Sequence, residues 1–282
     1  MQRKRTKYWL IFGSIFLGIL LCCFLVSVSL KVKVVDVEFR SRLSEEETML
    51  SDSVKSEIKS YFQKNKNIVL LNTDEISDKI EKAYPLVKIN QVLKNFPSTL
   101  RVYISERTPK YRVLDNSNPN NFLILDNDFK IIDIIEVSRL EENNYSNTSY
   151  FKTTMEISSE CFSVTGNIGD FIKNNEEIQN YFNQVASGVY GKTEDYSAVR
   201  MISFAKVDGD YQFKLIMKNL AEENYFGCNI LIDGTKNLKE KTYAGVYTFE
   251  EEVKGSSINN SLTYIEIKII NNKFVGVKYI EE

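Results

Sequence analysis

The hydrophobic positions of this chain change period several times. From Tyr8 to Leu30 there is no period at all: 23 residues pass without a charge. As a helix that run rises about 35 Å, which spans a hydrocarbon layer of about 30 Å with some tilt. Alternation follows over "VKVVDVEF", residues 32–39, with a one-residue slip, and predicts a strand. "SRLSEEETMLSD" is polar and turn-like. Val54, Ile58, Tyr61 and Phe62 recur at helical spacing and predict a helix over 52–64. Asn72 with Glu75 three places on reads as an N-cap opening a second helix, carried by Ile76, Ile80 and Ala83-Tyr84 and stopped by Pro85. Val87, Ile89 and Leu93 then mark a strand. Asn95–Thr99 is a turn, and Leu100, Val102 and Ile104 alternate with polar neighbours. The predicted order is β-α-α-β-β. A short turn makes the last two strands antiparallel, with both helices on one face. Pro85, Pro97 and Pro109 fall at the seams, where a missing N–H is harmless.

From Tyr111 strands dominate. "YRVLD", "NFLILDNDFKIIDII" and "MISFAKVDGDYQFKLIMKN" read as strands with polar turns, Asp208-Gly209-Asp210 being a hairpin tip. Between them, residues 138–160 are rich in Asn, Ser, Thr and Glu and read as loop. A helix is predicted within "FIKNNEEIQNYFNQVASGVYG", with Phe171, Ile172, Ile178, Phe182 and Val185 inward and Gly188 or Gly191 near its end. "CNILID" is a strand and 236–251 a helix. "LTYIEIKIINNKFVGVKYI" gives two strands around Asn271-Asn272-Lys273. The fold class is α+β: an N-terminal transmembrane helix, a β-α-α-β-β domain, then a β-rich α+β domain.

Composition narrows the chemistry. Net charge is −2, and Arg3, Lys4, Arg5 and Lys7 precede the apolar run, so the remainder carries −6, the whole less those four positive charges. An acidic body is a poor partner for a phosphate backbone, which sets nucleic acid aside. Histidine is absent, which removes His-based triads, His zinc sites and a His general base. Of the 4 cysteines, Cys22 and Cys23 lie in the apolar run, and Cys161 and Cys228 are far apart with no C-x-x-C spacing. The latter two form either a disulfide, in an oxidising compartment, or two buried free thiols.

The basic residues ahead of the run orient it with residues 1–7 in the cytoplasm, 8–30 in the membrane and the rest outside. Tyr8 and Trp9 stand where interfacial aromatics belong. A cleaved signal peptide is the rival, with small residues at Ser27-Val28-Ser29. Signal h-regions usually run about 7–15 residues, and this one is longer, so the anchor is preferred.

The strand "VVDVEF", then "NIVLLNTDEISDKIEKAYPLVKINQVLKNFPSTLRVYISERTP" with its P-x-x-L-x-V-x-I-x-E-R-x-P run from Pro97 to Pro109, resembles a membrane-proximal POTRA domain. "FLILDNDFKII", "GCNILIDGTKNLKEKTYAGVYTF" and "LTYIEIKI" resemble the second, β-rich domain of the bacterial cell-division proteins FtsQ and DivIB. The likeness covers residues 32–130 and 225–277. Two positions depart from the family: Arg40-Ser41-Arg42 where a Gly follows the first strand, and Phe129 where a turn Gly is common. The resemblance implies a POTRA domain at 31–108 and an FtsQ/DivIB-type β domain at 109–282. It further implies a non-enzymatic, single-pass divisome scaffold at the division septum, required for septum formation, with no cofactor and no small-molecule substrate. Its partners would be the cytoplasmic membrane and small coiled-coil proteins of the FtsB/DivIC and FtsL types. The family's partner contact lies on the late β strands, which points to Tyr264, Glu266 and Lys268.

Each candidate has a bland counterpart. Tyr264, Glu266 and Lys268 alternate with Ile265, Ile267 and Ile269, so they form either a solvated face or a strand with an edge open to a partner. Glu106-Arg107 is either a base with its orienting partner or architecture, Arg107 reaching a carboxylate or carbonyl and fixing the join between domains; architecture is preferred. Asp126, Asp128 and Asp133 are carboxylates for chemistry or, the preferred reading, turn residues satisfying their own backbone. The rival function is a membrane-anchored extracytoplasmic enzyme, such as a wall hydrolase using carboxylates or Cys161 and Cys228. A secretion-type POTRA protein is set aside because the chain after Pro109 does not supply a large barrel.

Overall fold

A computed structural model describes residues 13–24, 30–39, 52–62, 67–138, 153–172, 176–194, 196–217, 228–253 and 263–280. The chain divides into two compact units, Met1–Arg107 and Thr108–Glu282.

In the first unit, residues 13–24 form helix α1 with its side chains exposed. Twelve helical residues rise about 18 Å, and among the described residues no helix is long and apolar enough to cross a membrane. The flanking parts of the predicted span, 8–12 and 25–29, lie outside the described residues, as does the polar stretch 40–51. The strand and helices that follow are β1 (Val34–Phe39), α2 (Asp52–Phe62), α3 (Thr73–Ala83), β2 (Val87–Asn95) and β3 (Thr99–Glu106). This is the β-α-α-β-β order predicted from periodicity. The Asn72 side chain caps α3, its Oδ1 accepting from the Glu75 N–H at 3.3 Å. The sheet runs β1-β3-β2, with β1 parallel and β2 antiparallel to β3. Leu100, Val102 and Ile104 meet Ile58, Phe62, Ile76 and Ile80 in one buried core, so both helices cover a single face.

The second unit is one nine-stranded sheet, in the order β12-β11-β10-β9-β8-β7-β4-β5-β6. Its strands are β4 (Tyr111–Asp115), β5 (Asn118–Leu125), β6 (Ile131–Glu136), β7 (Met155–Ile157), β8 (Val199–Val207), β9 (Asp210–Met217), β10 (Asn229–Asp233), β11 (Thr263–Ile270) and β12 (Lys273–Ile280). Helices α4 (Glu176–Thr193) and α5 (Leu238–Thr248) supply Phe182, Val185, Val189 and Val246 to its core. Asp208 and Gly209 both take positive φ, as a two-residue hairpin turn requires. The fourth proline, Pro119, lies within β5, at a register shift where Leu114 pairs with Phe122 but Asp115 with Asn118. The extra residues of that bulge need no ladder N–H.

Three expectations change. Residues 155–157 of the predicted 138–160 loop are β7, a central strand parallel to both β4 and β8; 139–152 lie outside the described residues. Phe171 precedes α4, lies 44% exposed and bridges Lys130. Of the two glycines expected near the end of that helix, Gly191 lies in its last turn, whereas Gly188 is interior because the helix continues to Thr193. A Cβ on Gly188 would stand 2.5 Å from the Lys239 carbonyl oxygen and 2.6 Å from Thr242 Cβ. It is the point where α4 and α5 cross.

Candidate partner-binding surface

The hairpin β11–β12 turns at Asn271 and Asn272, both at positive φ (51° and 59°), which asparagine tolerates better than most residues. The register follows from that turn: Tyr264 faces Tyr279, Glu266 faces Val277 and Lys268 faces Val275. Ile265 is buried and Ile267 packs against the core beneath α5. Gly276 sits on this inner side, where a Cβ would come within 2.5 Å of Thr248 Oγ1 and 2.9 Å of Ile265 Cγ2. The Thr248 hydroxyl donates to the Gly276 carbonyl at 3.3 Å. Close approach to α5 fixes the hairpin and, by strand alternation, puts Tyr264, Glu266 and Lys268 on the opposite face.

On that face the three predicted residues come together. The Tyr264 ring stacks on Tyr279, centroids 5.0 Å apart and planes 13° off parallel. The Lys268 ammonium donates to the Tyr279 hydroxyl. It also lies 3.8 Å from the Glu266 carboxylate, in solvent-exposed positions. The hydrogen bond to Tyr279 raises the Lys268 pKa above its ordinary value, with Glu266 adding to it. The row is thus a preformed aromatic and charged strip in which Tyr279 is a fourth member. Tyr279 was missed in the sequence, although it and Tyr264 each stand seven residues from the two-residue turn. The open edge also moves. β11 lies between β10 and β12, pairing with β10 from Asn229↔Tyr264 to Leu231↔Glu266. The sheet ends at β12, and among the described residues no strand pairs with its outer side.

Arg107 is buried at the end of the first unit. Its Nη2 donates to Glu81 Oε2 at 2.6 Å and its Nε to the Val87 carbonyl at 3.3 Å. Glu81 Oε1 accepts from the Ile89 N–H at 2.7 Å. The guanidinium therefore ties the last turn of α3 to the start of β2. Its neighbour Glu106 pairs with Val87 in the sheet register.

The remaining candidates are occupied by structure. Asp126 Oδ1 accepts from the backbone N–H groups of Asp128 and Lys130, both at 2.9 Å, and organises the β5–β6 turn. Asp133 Oδ1 accepts from the Ile134 N–H. Among the described residues no group of three or more Asp, Glu or Cys side chains is placed to hold a metal ion. Cys161 and Cys228 are free thiols. Burial raises both pKa values, that of Cys228 to about 12, against the thiolate a nucleophile needs.

A second buried cation escaped the sequence reading. Arg112, 1% exposed, donates through Nη1 to the Thr154 carbonyl at 2.8 Å and Nη2 to the Arg200 carbonyl at 3.2 Å, and its Nε lies 3.5 Å from Glu156 Oε2. It holds β4, β7 and β8 together. In "YRVLD" an arginine reads as a solvated strand residue, and no local signal marks it otherwise.

The fold defines a class first: an α+β chain with a small β-α-α-β-β unit followed by a mixed sheet with helices. Residues 42–107 match the family model of the POTRA domain, FtsQ-type, and the match ends at the residue that closes the first unit. No curated protein matches the chain. The chain carries an FtsQ-type POTRA domain, which supports its resemblance to the FtsQ and DivIB division proteins. Such a domain indicates a scaffold role in cell division, with other division proteins as partners, in a family that is generally non-enzymatic.

Proposed function

We propose that this protein is a bitopic divisome scaffold required for septum formation. In this reading residues 1–7 are cytoplasmic, 8–30 cross the membrane, 31–108 are the POTRA domain and 109–282 the β domain outside. Glu106 and Arg107 form the structural junction at the end of the POTRA domain. The FtsQ-type match over 42–107 carries the reading. Helix α1 supports the anchor: Phe16, Leu17, Leu21 and Phe24 are all more than half exposed, and a helix apolar all round calls for apolar surroundings.

The β domain recruits FtsB/DivIC- and FtsL-type coiled-coil proteins through Tyr264, Glu266 and Lys268, with the edge of β12, which no strand among the described residues covers, available for an added strand. The test is co-purification of such partners with the full chain. Tyr264→Ala and Lys268→Glu should each lower recovery at least tenfold. In a two-residue hairpin the closing pair is hydrogen-bonded, so Phe274, Gly276 and Lys278 direct their backbone groups away from β11; the Gly276 carbonyl already accepts from Thr248, which leaves Phe274 and Lys278 to meet an added strand. Lys278→Pro then removes an outer N–H without touching the β11 ladder, and should also lower recovery. Unchanged recovery in all three variants would refute the proposed surface. A fluorescent fusion at the N-terminus should gather in mid-cell rings; even envelope staining would count against the scaffold role.

A further inference from the structure

The small unit has an apolar end. Among its described residues from 30 to 107, the large apolar side chains that stand exposed are Val34 (51%), Val69 (52%), Leu70 (83%) and Phe96 (62%). Backbone hydrogen bonds bring all four to one place. The Ile68 N–H donates to the Leu30 carbonyl at 2.8 Å, and Lys31 bridges Asn67, which fixes the turn at 68–70 beside residues 30 and 31. The N–H groups of Lys33 and Val34 donate to the Ser98 carbonyl at 2.9 and 3.3 Å, which fixes the turn at 96–98 beside the start of β1. Lys94 Nζ donates to the Leu71 carbonyl at 2.7 Å and links the two turns.

The place itself is informative. Leu30 is the last residue of the uncharged run, and Lys31 is already paired with the folded unit. No linker separates the apolar run from this end of the unit. Lys31 and Lys33 are exposed there. Glu75, in the first turn of α3, is held by Lys79 at 2.5 Å. Apolar tips beside lysines match the boundary between acyl chains and anionic headgroups, where the apolar groups enter and the ammonium groups stay at the phosphates.

We infer that the POTRA domain docks on the membrane surface through the Val69–Leu70 and Phe96–Pro97 turns, with Lys31 and Lys33 on anionic lipid headgroups. This rests on the anchor reading above. Membrane contact at two turns as well as the anchor would hold the domain at a set angle to the bilayer.

The test uses the full chain in vesicles of phosphatidylcholine and phosphatidylglycerol, with and without bromine on the acyl chains near the ester end. The single tryptophan, Trp9, is replaced by Phe. Leu70→Trp and Phe96→Trp then act as reporters, and Lys82→Trp, in the last turn of α3, as the control. The reporter positions are exposed, so the fold should tolerate them. Bromine should quench Trp at 70 and 96 at least twofold and leave Trp at 82 unchanged. Lys31→Glu with Lys33→Glu should weaken that quenching. A chain that floats with the vesicles but shows equal quenching at 70, 96 and 82 overturns the docking alone, and the apolar end would then belong to a protein partner. A chain that fails to float overturns the anchor, and the docking with it.

Discussion

Arg107 and Glu81 meet at 2.6 Å with side chains 2% and 14% exposed. Removing one member of such a pair leaves a buried charge without compensation. Arg107→Ala should cost about 3–5 kcal/mol, a large share of what a small unit has to spare. Arg107→Lys should recover only part of it, because an ammonium lacks the fork that serves Glu81 and Val87 together. Urea unfolding of the three proteins, followed by hydrogen exchange in α3 and β2, measures this. Loss of less than about 1 kcal/mol for Arg107→Ala would show that the pair is dispensable.

Phe129 sits at φ 58°, 1% exposed, stacked on Tyr111 at 4.9 Å. Packing holds a bulky residue in backbone space that favours glycine. Truncation should cost about 3–5 kcal/mol for Phe129→Ala. Phe129→Gly loses the same ring but relieves about 1–2 kcal/mol of left-handed strain. The prediction is an inverted order: the glycine variant more stable than the alanine variant. Chemical denaturation decides, and the usual order would contradict the strain.

Two glycines on α4 should respond with opposite sign. Gly188→Ala drives a Cβ into the Lys239 carbonyl and Thr242, and should cost about 1–3 kcal/mol. At Gly191 the nearest atom to a Cβ is Tyr243 Cδ2 at 3.4 Å, an ordinary contact. Gly191→Ala should instead gain up to about 1 kcal/mol from helix propensity. Thermal melts of the two variants provide the comparison.

Alkali should weaken the second unit. Burial raises the Cys228 thiol from 9.0 to about 12 and the Tyr196 phenol from 10.0 to about 12, and pushes Tyr111 well up. A folded pKa above the unfolded one means stability that is complete below the unfolded value and lost as pH rises through the folded one. The loss therefore begins near pH 9 with Cys228 and deepens above pH 10 with the tyrosines. Lys110 opposes it. Burial lowers its pKa from 10.5 to about 8 while Asn127 and Asn183 hold its ammonium, so it adds stability across that interval. Urea titrations at pH 8, 9, 10 and 11 should show Cys228→Ala losing less than the native chain. Equal slopes would exclude the thiol as a cause.

The first unit was legible because each of its elements carries its own signal. Ile76 and Ile80 give the period, Asn72 the cap and Pro85 the stop, and the structure keeps all three. The hairpin at Asn271-Asn272 was legible for the same reason, and with it the common face of Tyr264, Glu266 and Lys268. What escaped depends on distant partners. Met155-Glu156-Ile157 is too short for a period and is a strand only because β4 and β8 flank it. Arg112 is buried only because Thr154, Glu156 and Arg200 converge on it. Gly188 marks a helix crossing only once α5 is in place. The edge role passed from β11 to β12 because strand order, unlike strand identity, is not written in local pattern.

Under the proposed function the second unit carries load between an anchor and a partner, and β7 is where its sheet would part. Its ladders are the shortest in the second unit, Tyr111↔Met155 and Arg112↔Glu156 on one side, Glu156↔Met201 and Ile157↔Ile202 on the other. Pulled across its strands, the sheet would tear along that line, separating β4-β5-β6 from the strands that end in the hairpin. The buried guanidinium of Arg112, reaching over both ladders, is the rivet across the seam.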